Sequence, residues 1–471
     1  MHHNKLTRLV VATSAALSLF TAYSEINTAS AGWWDNHSHW KNRRAGDEVT
    51  PVPAPAPVVT PPVVAPAPVP APAPVPAPTP VTPTPAPAPT PVVTAPAVPG
   101  ISYPFASHKA AYVAGIKPTS ATQAAQDAWI RARYDSWKSG VSSRCGGTIV
   151  NFSNTAYAAV SEGMGYGMMI TVVMAGHDSQ ARSLFDGMLK VVRANPAYNT
   201  DPALMDWRIN ADCTSAGDGW NAMDGDLDIA MALLMADKQW GSSGSFNYKA
   251  EAIKTINAMK AKNMHADGRT KGLPSSANNR TSDYMIGHFK AFKRATGDAF
   301  WDLAVDKAFS LLNTLQANYA PNTGLIPDFV INTGTNPAPS NGYIGDGNAF
   351  EGFYYWNACR LPWRLATDYV TSGDVRSKVV LTKLMDFFNN STGGQPGQIK
   401  SGYKLDGTVI GNYANASFIG PATAGAMVDA KFQPFLNSLW TYSSSHAATS
   451  YYDAELQLLS MMVASGNWWN P

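Results

Sequence analysis

Charge is sparse in this chain of 471 residues: 35 Lys and Arg against 33 Asp and Glu, with a formal net charge of +2. Lys and Arg are scattered, and no basic run follows residue 100. Nothing here suits a polyanion, so no nucleic-acid partner is expected. Cysteine is scarcer still, with only Cys145, Cys213 and Cys359. An odd count leaves at least one thiol unpaired or paired between chains, and the pairing stays open. There is no H-E-x-x-H and no paired C-x-x-C, and the nine histidines are dispersed. A P-loop and a G-x-S-x-G elbow are also missing. We therefore expect no metal and no cofactor. After the N-terminus no segment is long and apolar enough for a transmembrane helix, so no membrane partner is expected either. The reading is of a monomer.

What is present begins with a targeting segment. His2, His3, Lys5 and Arg8 precede the apolar run Leu9 to Phe20, and Ala29-Ser30-Ala31 supplies a small-residue site. That pattern makes residues 1–31 a secretory signal peptide. The run is too short to span a bilayer as an anchor. Residues 32–50 hold Trp33, Trp34 and Trp40 among basic side chains. An aromatic strip of this kind could stack on sugars, but it is too short to fold alone and reads as disordered. Residues 51–99 are almost only Pro, Ala, Val and Thr, an extended, semi-rigid linker. Residues 100–471 then suit one large domain whose core needs no disulfide.

That domain reads as helix after helix. Thr122 to Lys138 has a polar face, Ser161 to Ala175 is apolar on nearly every side, and Asp178 to Arg193 is amphipathic. Similar stretches continue through Leu227 to Trp240, Tyr355 to Thr371, Pro421 to Trp440 and Tyr451 to Ala464. Strand-type alternation is scarce. Helices apolar all round imply an inner layer and amphipathic ones an outer layer. The expectation is all-α, with helical hairpins packed in a ring or, failing that, an irregular bundle.

Three segments could carry chemistry. In Ser161-Glu162-Gly163-Met164-Gly165-Tyr166-Gly167-Met168, a Glu opens an apolar helix. Desolvation there raises a carboxyl pKa, which suits a general acid; capping of free N–H groups is the plainer role. In Asn221-Ala222-Met223-Asp224-Gly225-Asp226-Leu227-Asp228, Asp224 and Asp228 share a helical face and Asp226 points away. Three acids exceed what capping needs. In Tyr354-Tyr355-Trp356-Asn357-Ala358-Cys359-Arg360-Leu361-Pro362-Trp363-Arg364, interleaved rings and Arg suit sugars, although core aromatics with surface Arg would look the same.

Together these segments resemble glycoside hydrolase family 8. The run from Ala222 to Ala236 followed by Trp240, the Ser-Glu-Gly-x-x-Tyr-Gly-Met segment, Ala-Cys-Arg-x-Pro-Trp-Arg at 358–364 and Ser450-Tyr451-Tyr452 occur in the family's order. Met223 stands where the family more often has Ser or Thr. The resemblance implies an (α/α)6 barrel of six helical hairpins, with an open cleft, and hydrolysis with inversion by an acid and a base on opposite faces of the sugar. It implies Glu162 as general acid and Asp224 as the acid that holds the sugar at the cleavage point. Arg360, Asp226 and Asn357 are expected to bind substrate, with Trp207 and Tyr452 as stacking residues. Many members carry the base as Asp three residues before that Arg; here the position is Asn357, and an amide cannot serve. This resembles the subgroup in which an inserted loop supplies the base. Glu351 is the preferred candidate, ahead of Asp346, with Asp328 a third.

The expected activity is a secreted endo-β-1,4-glucanase acting on cellulose-like or mixed-linkage glucan. The subgroup includes chitosanases and lichenases, so chitosan is the rival polysaccharide. Asp201, Asp206, Asp212 and Asp218 could face such a polycation. A barrel that binds carbohydrate without cutting it, and a hydrolase of the cell's own exported cellulose, are the remaining alternatives.

Overall fold

Twelve α-helices run through the computed structural model, which describes residues 100–152, 156–272 and 279–471. The expected signal peptide, tryptophan-rich segment and linker lie outside the described residues. The helices are α1 (Gln123–Lys138), α2 (Ser161–Val173), α3 (Ala181–Ala194), α4 (Met223–Trp240), α5 (Tyr248–Asn263) and α6 (Ile286–Thr296), followed by α7 (Phe300–Tyr319), α8 (Leu361–Ser372), α9 (Val375–Thr392), α10 (Ala416–Gly425), α11 (Gln433–Ser445) and α12 (Tyr451–Ala464).

The fold is mostly helical, as expected, and its helices contact one another in a regular alternation. Each even-numbered helix packs on the next even-numbered one, and α12 packs on α2. Each odd-numbered helix lies chiefly against one even-numbered partner: α1 on α12, α3 on α2, α5 on α4, α7 on α6, α9 on α8 and α11 on α10. The sequence pattern explains the division. Every residue of α2 is buried, which suits a helix apolar all round. Helix α3 buries Phe185, Met188, Leu189, Val191 and Val192 and turns its other face outward. Full burial of such side chains contributes about 1.5–3 kcal/mol each.

Close approach of inner helices sets the glycines. A β-carbon at Gly165 would lie 2.7 Å from Asp228 Cβ and 3.0 Å from Gly225 O. One at Gly225 would lie 2.7 Å from the backbone of Ser161. Only glycine lets α2 and α4 meet at this distance.

Short antiparallel strands occupy the connections: β1 (Val141–Arg144) with β2 (Gly147–Val150), β3 (Tyr157–Val160) with β6 (Arg208–Asn210), β4 (Pro196–Ala197) with β5 (Asp201–Met205), and β7 (Asn279–Arg280), β8 (Phe329–Ile331) and β9 (Ala338–Pro339) as one sheet. Cys145, in the β1–β2 turn, is bonded to Cys213, and Cys359 is free and buried. The stretch expected as one helix from Pro421 to Trp440 is two, α10 and α11. The first starts earlier, at Ala416, because Asn415 accepts a hydrogen bond from Ser417 N and caps it. The expected helix from Tyr355 starts only at Leu361, after a single tight turn at Ala358–Arg360.

Candidate active site

The chemical residues gather at the N-terminal ends of the inner helices. Strand β3 runs directly into α2, and Ser161 N donates to Trp207 O at 2.9 Å. This places Glu162 in the first turn of α2 and Asp224 in the first turn of α4. Strand β7 and the turn Thr281–Asp283, ahead of α6, supply Arg280, Ser282 and Asp283. The turn before α8 supplies Asn357 and Arg360.

Arg360 joins them and is fully buried. Its Nη1 donates to Glu162 Oε2 at 2.5 Å and to Asp224 Oδ2 at 2.7 Å. Its Nη2 donates to Ser282 Oγ at 2.8 Å and to Asn357 Oδ1 at 2.7 Å. A second arginine, Arg280, meets Asp224 Oδ1 at 2.7 Å and Asp283 at 3.1 Å. Buried ions are tolerable only when paired this closely.

The environment drives the two acids apart. Burial pushes the Glu162 carboxyl up to about 8; Arg360 opposes the rise and Asp224 reinforces it. Burial also acts to raise Asp224, but Arg280 and Arg360 together overcome it and hold the group below the usual carboxylate range. One carboxylic acid that keeps its proton beside one that stays ionised is an arrangement for proton donation. Tyr451, the first residue of α12, donates from its hydroxyl to Glu162 Oε1 at 3.2 Å.

The three candidate bases differ in their surroundings. Glu351, preferred in sequence, accepts from Ile344 N at 2.6 Å, Gly345 N at 2.9 Å and Gly347 N at 2.8 Å. Both its oxygens serve the fold of their own loop. Asp328 accepts from Tyr355 N, Asn357 N and Ala358 N at 2.7–3.0 Å and so holds the turn before α8. Asn357 Nδ2, within the Arg360 cluster, donates to Asp346 at 2.5 Å and, at the longer distance of 3.2 Å, to Asp328. Asn357 thus bridges Asp346 to Arg360.

Other expected residues are placed differently. Asp226 is buried and accepts from Met205 N and Asn221 Nδ2, both at 2.9 Å, so it supports the wall behind the site. Asp228 pairs with Arg364 at 2.6 Å and with His288, one turn deeper. Tyr452, expected to stack on sugar, is buried, and its hydroxyl donates to Trp356 O at 2.6 Å. Trp207 keeps partial exposure next to Arg208. Arg280, Asp283 and Tyr451 escaped sequence reasoning.

A buried acid pair held by arginines at one end of a helical array defines a glycosidase-type centre. The family model of the glycosyl hydrolases family 8 matches residues 109–466, and the chain belongs to that family. It is 39% identical over 375 residues to "Beta-glucanase" of Niallia circulans, covering 78% of this chain and 91% of that one. It is 37% identical to "Endoglucanase" of Bacillus sp. (strain KSM-330), covering 76% and 80%. Among solved structures, the apo beta-1,3-1,4-glucanase of Paenibacillus sp. X4 superposes with a TM-score of 0.75 at 38% identity, covering 78% of this chain and 99% of that one. Rex8A of Paenibacillus barcinonensis shares the fold, with a TM-score of 0.64 at 19% identity.

Proposed function

We propose that this protein is a secreted, endo-acting, inverting hydrolase of β-1,4-linked glucan, cellulose-like or mixed-linkage, built on an (α/α)6 barrel. The closed succession of contacts among the even-numbered helices supports the barrel. The glucanases among its relatives support the substrate class. The disulfide between Cys145 and Cys213 supports an oxidising compartment and hence export through the 1–31 segment. Residues 51–99 then tether a single catalytic domain.

The reading is carried by Arg360, which brings Glu162 and Asp224 together with opposite proton affinities. Glu162, protonated near neutrality, donates its proton to the leaving glycosidic oxygen. Asp224 stays ionised and takes hydroxyls of the sugar at the cleavage point, favouring its distorted ring. Water attacks from the opposite face and needs a base about 6.5–9.5 Å from the acid.

Asp346 takes that role in place of Glu351. Asn357, unable to be a base itself, holds Asp346 by its amide and is in turn oriented by Arg360. Glu351 shapes the loop that delivers Asp346.

Reducing-sugar release from barley mixed-linkage glucan, carboxymethyl cellulose and chitosan, assayed side by side, tests the substrate. Release from the glucans above chitosan is expected. Chitosan as the preferred substrate would make the enzyme a chitosanase, and no release from any of the three would leave a noncatalytic binding barrel.

A further inference from the structure

Beside Glu162 stands an assembly that the catalytic reading leaves unused. The guanidinium of Arg208 lies between two aromatic rings, 4.0 Å from the centre of Tyr157 and 4.3 Å from that of Trp207. Tyr157 and Arg208 sit on the β3–β6 pair, whose register sets Arg208 opposite Val160, two residues before the acid, and Trp207 immediately precedes β6. All three are partly exposed.

The stack is braced from outside. Arg208 Nη2 donates to Ala216 O at 3.1 Å. A β-carbon at Gly217 would lie 2.5 Å from Trp207 Cδ1, so the 211–219 loop presses on the edge of that indole. The same loop is tied by the Cys145–Cys213 bond. On the other side Tyr157 leans on Phe152, and Phe152 on Tyr451, which donates to Glu162. A chain of contacts therefore links Glu162 to Trp207 through Tyr451, Phe152, Tyr157 and Arg208.

We propose that Arg208 is the positioning residue of the Trp207 indole, whose stacking on sugar the family resemblance already implies, and that Tyr157, Arg208 and Trp207 form one preassembled platform for a glucosyl ring of the bound β-glucan. Arg208 covers one face of each ring and fixes their planes; the sugar stacks on the remaining indole surface. A planar guanidinium can lie flat against both rings, which an ammonium cannot. The proposal rests on the reading of the chain as a β-glucan hydrolase.

Steady-state kinetics on barley mixed-linkage glucan test it, with Arg208→Ala, Arg208→Lys, Trp207→Ala and the Arg208→Ala/Trp207→Ala double variant. Arg208→Ala is expected to raise KM about five- to tenfold while kcat changes less than about twofold. Arg208→Lys recovers only part of the loss. The double variant behaves as Trp207→Ala alone, because Arg208 acts through Trp207. Additive effects of the two substitutions, full recovery by Lys, or a KM within about twofold of wild type overturn the proposal. If Arg208→Ala does not fold, Arg208→Met, which keeps the length, takes its place. Failure of the β-glucan reading looks different: the wild type then releases no sugar. In that case retardation of the same variants in native gels containing the glucan decides the platform, and an unretarded wild type overturns it.

Discussion

Replacing Asp346 by Asn removes a carboxylate without changing its volume. The new amide oxygen can accept the hydrogen bond that Asn357 Nδ2 donates at 2.5 Å, so the Arg360 cluster keeps its shape. The chemistry does not survive, because an amide cannot take a proton from attacking water. A positioned base contributes about 10²–10⁴ in rate, or about 2.7–5.4 kcal/mol of barrier. Asp346→Asn should lose kcat by that factor while KM stays within about twofold. The assay is reducing-sugar release from barley glucan over a range of substrate concentrations.

Glu351→Gln is the informative control. Its NH₂ would face at least one of the N–H groups of Ile344, Gly345 and Gly347, donor against donor, at a cost of about 1–3 kcal/mol. That variant should lower the Tm and reduce kcat less than Asp346→Asn does. Azide separates the roles further, since it attacks without losing a proton. It should restore cleavage, read as glycosyl azide product by mass spectrometry, to Asp346→Ala and not to Glu351→Ala. An Asp346→Asn enzyme within about tenfold of wild-type kcat, or azide rescue of Glu351→Ala alone, would refute the assignment.

Three further predictions concern the acid, the staple and the inner packing. Glu162 must hold its proton, so kcat/KM should fall as pH rises through about 8. Because burial raises this pKa in the folded state from 4.5 to about 8, the folded chain binds the extra proton across that window. Stability should therefore decline as pH rises through it, and Glu162→Gln should flatten the slope in urea titrations. Cys145 and Cys213 are 68 residues apart, so a Cys→Ser pair should cost about 4 kcal/mol by loop closure, read as a lower urea midpoint. Gly165→Ala forces a β-carbon to 2.7 Å from Asp228 Cβ and should destabilise by about 1–3 kcal/mol, with a lowered Tm.

Period and composition made the layers legible. A helix such as α2, apolar on all sides, has nowhere to be but inside, and the structure buries it completely. Boundaries were harder where a local hydrogen bond decides them. Asn415 starts α10 five residues before Pro421, and a proline inside a helix reads in sequence as a beginning. In the site, Glu162, Asp224, Asn357 and Arg360 were legible because each sits in a motif at a helix start. Arg280 and Asp283 were not, since a short strand and a turn carry no period. Tyr451 and Tyr452 differ by one residue, and only the helix phase sends the first to Glu162 and the second to Trp356. Glu351 and Asp346 share one loop, and nothing in the sequence says which carboxylate the loop's own backbone will use.

The stereochemistry of the first product tests the central claim most directly. Proton NMR of barley glucan during the first minutes of hydrolysis resolves the new reducing ends before they equilibrate. A direct displacement by water, with Glu162 as acid and a base on the opposite face, predicts that the α-anomer appears first and the β-anomer grows in only by mutarotation. The β-anomer appearing first would mean a covalent intermediate on the enzyme and would contradict the account.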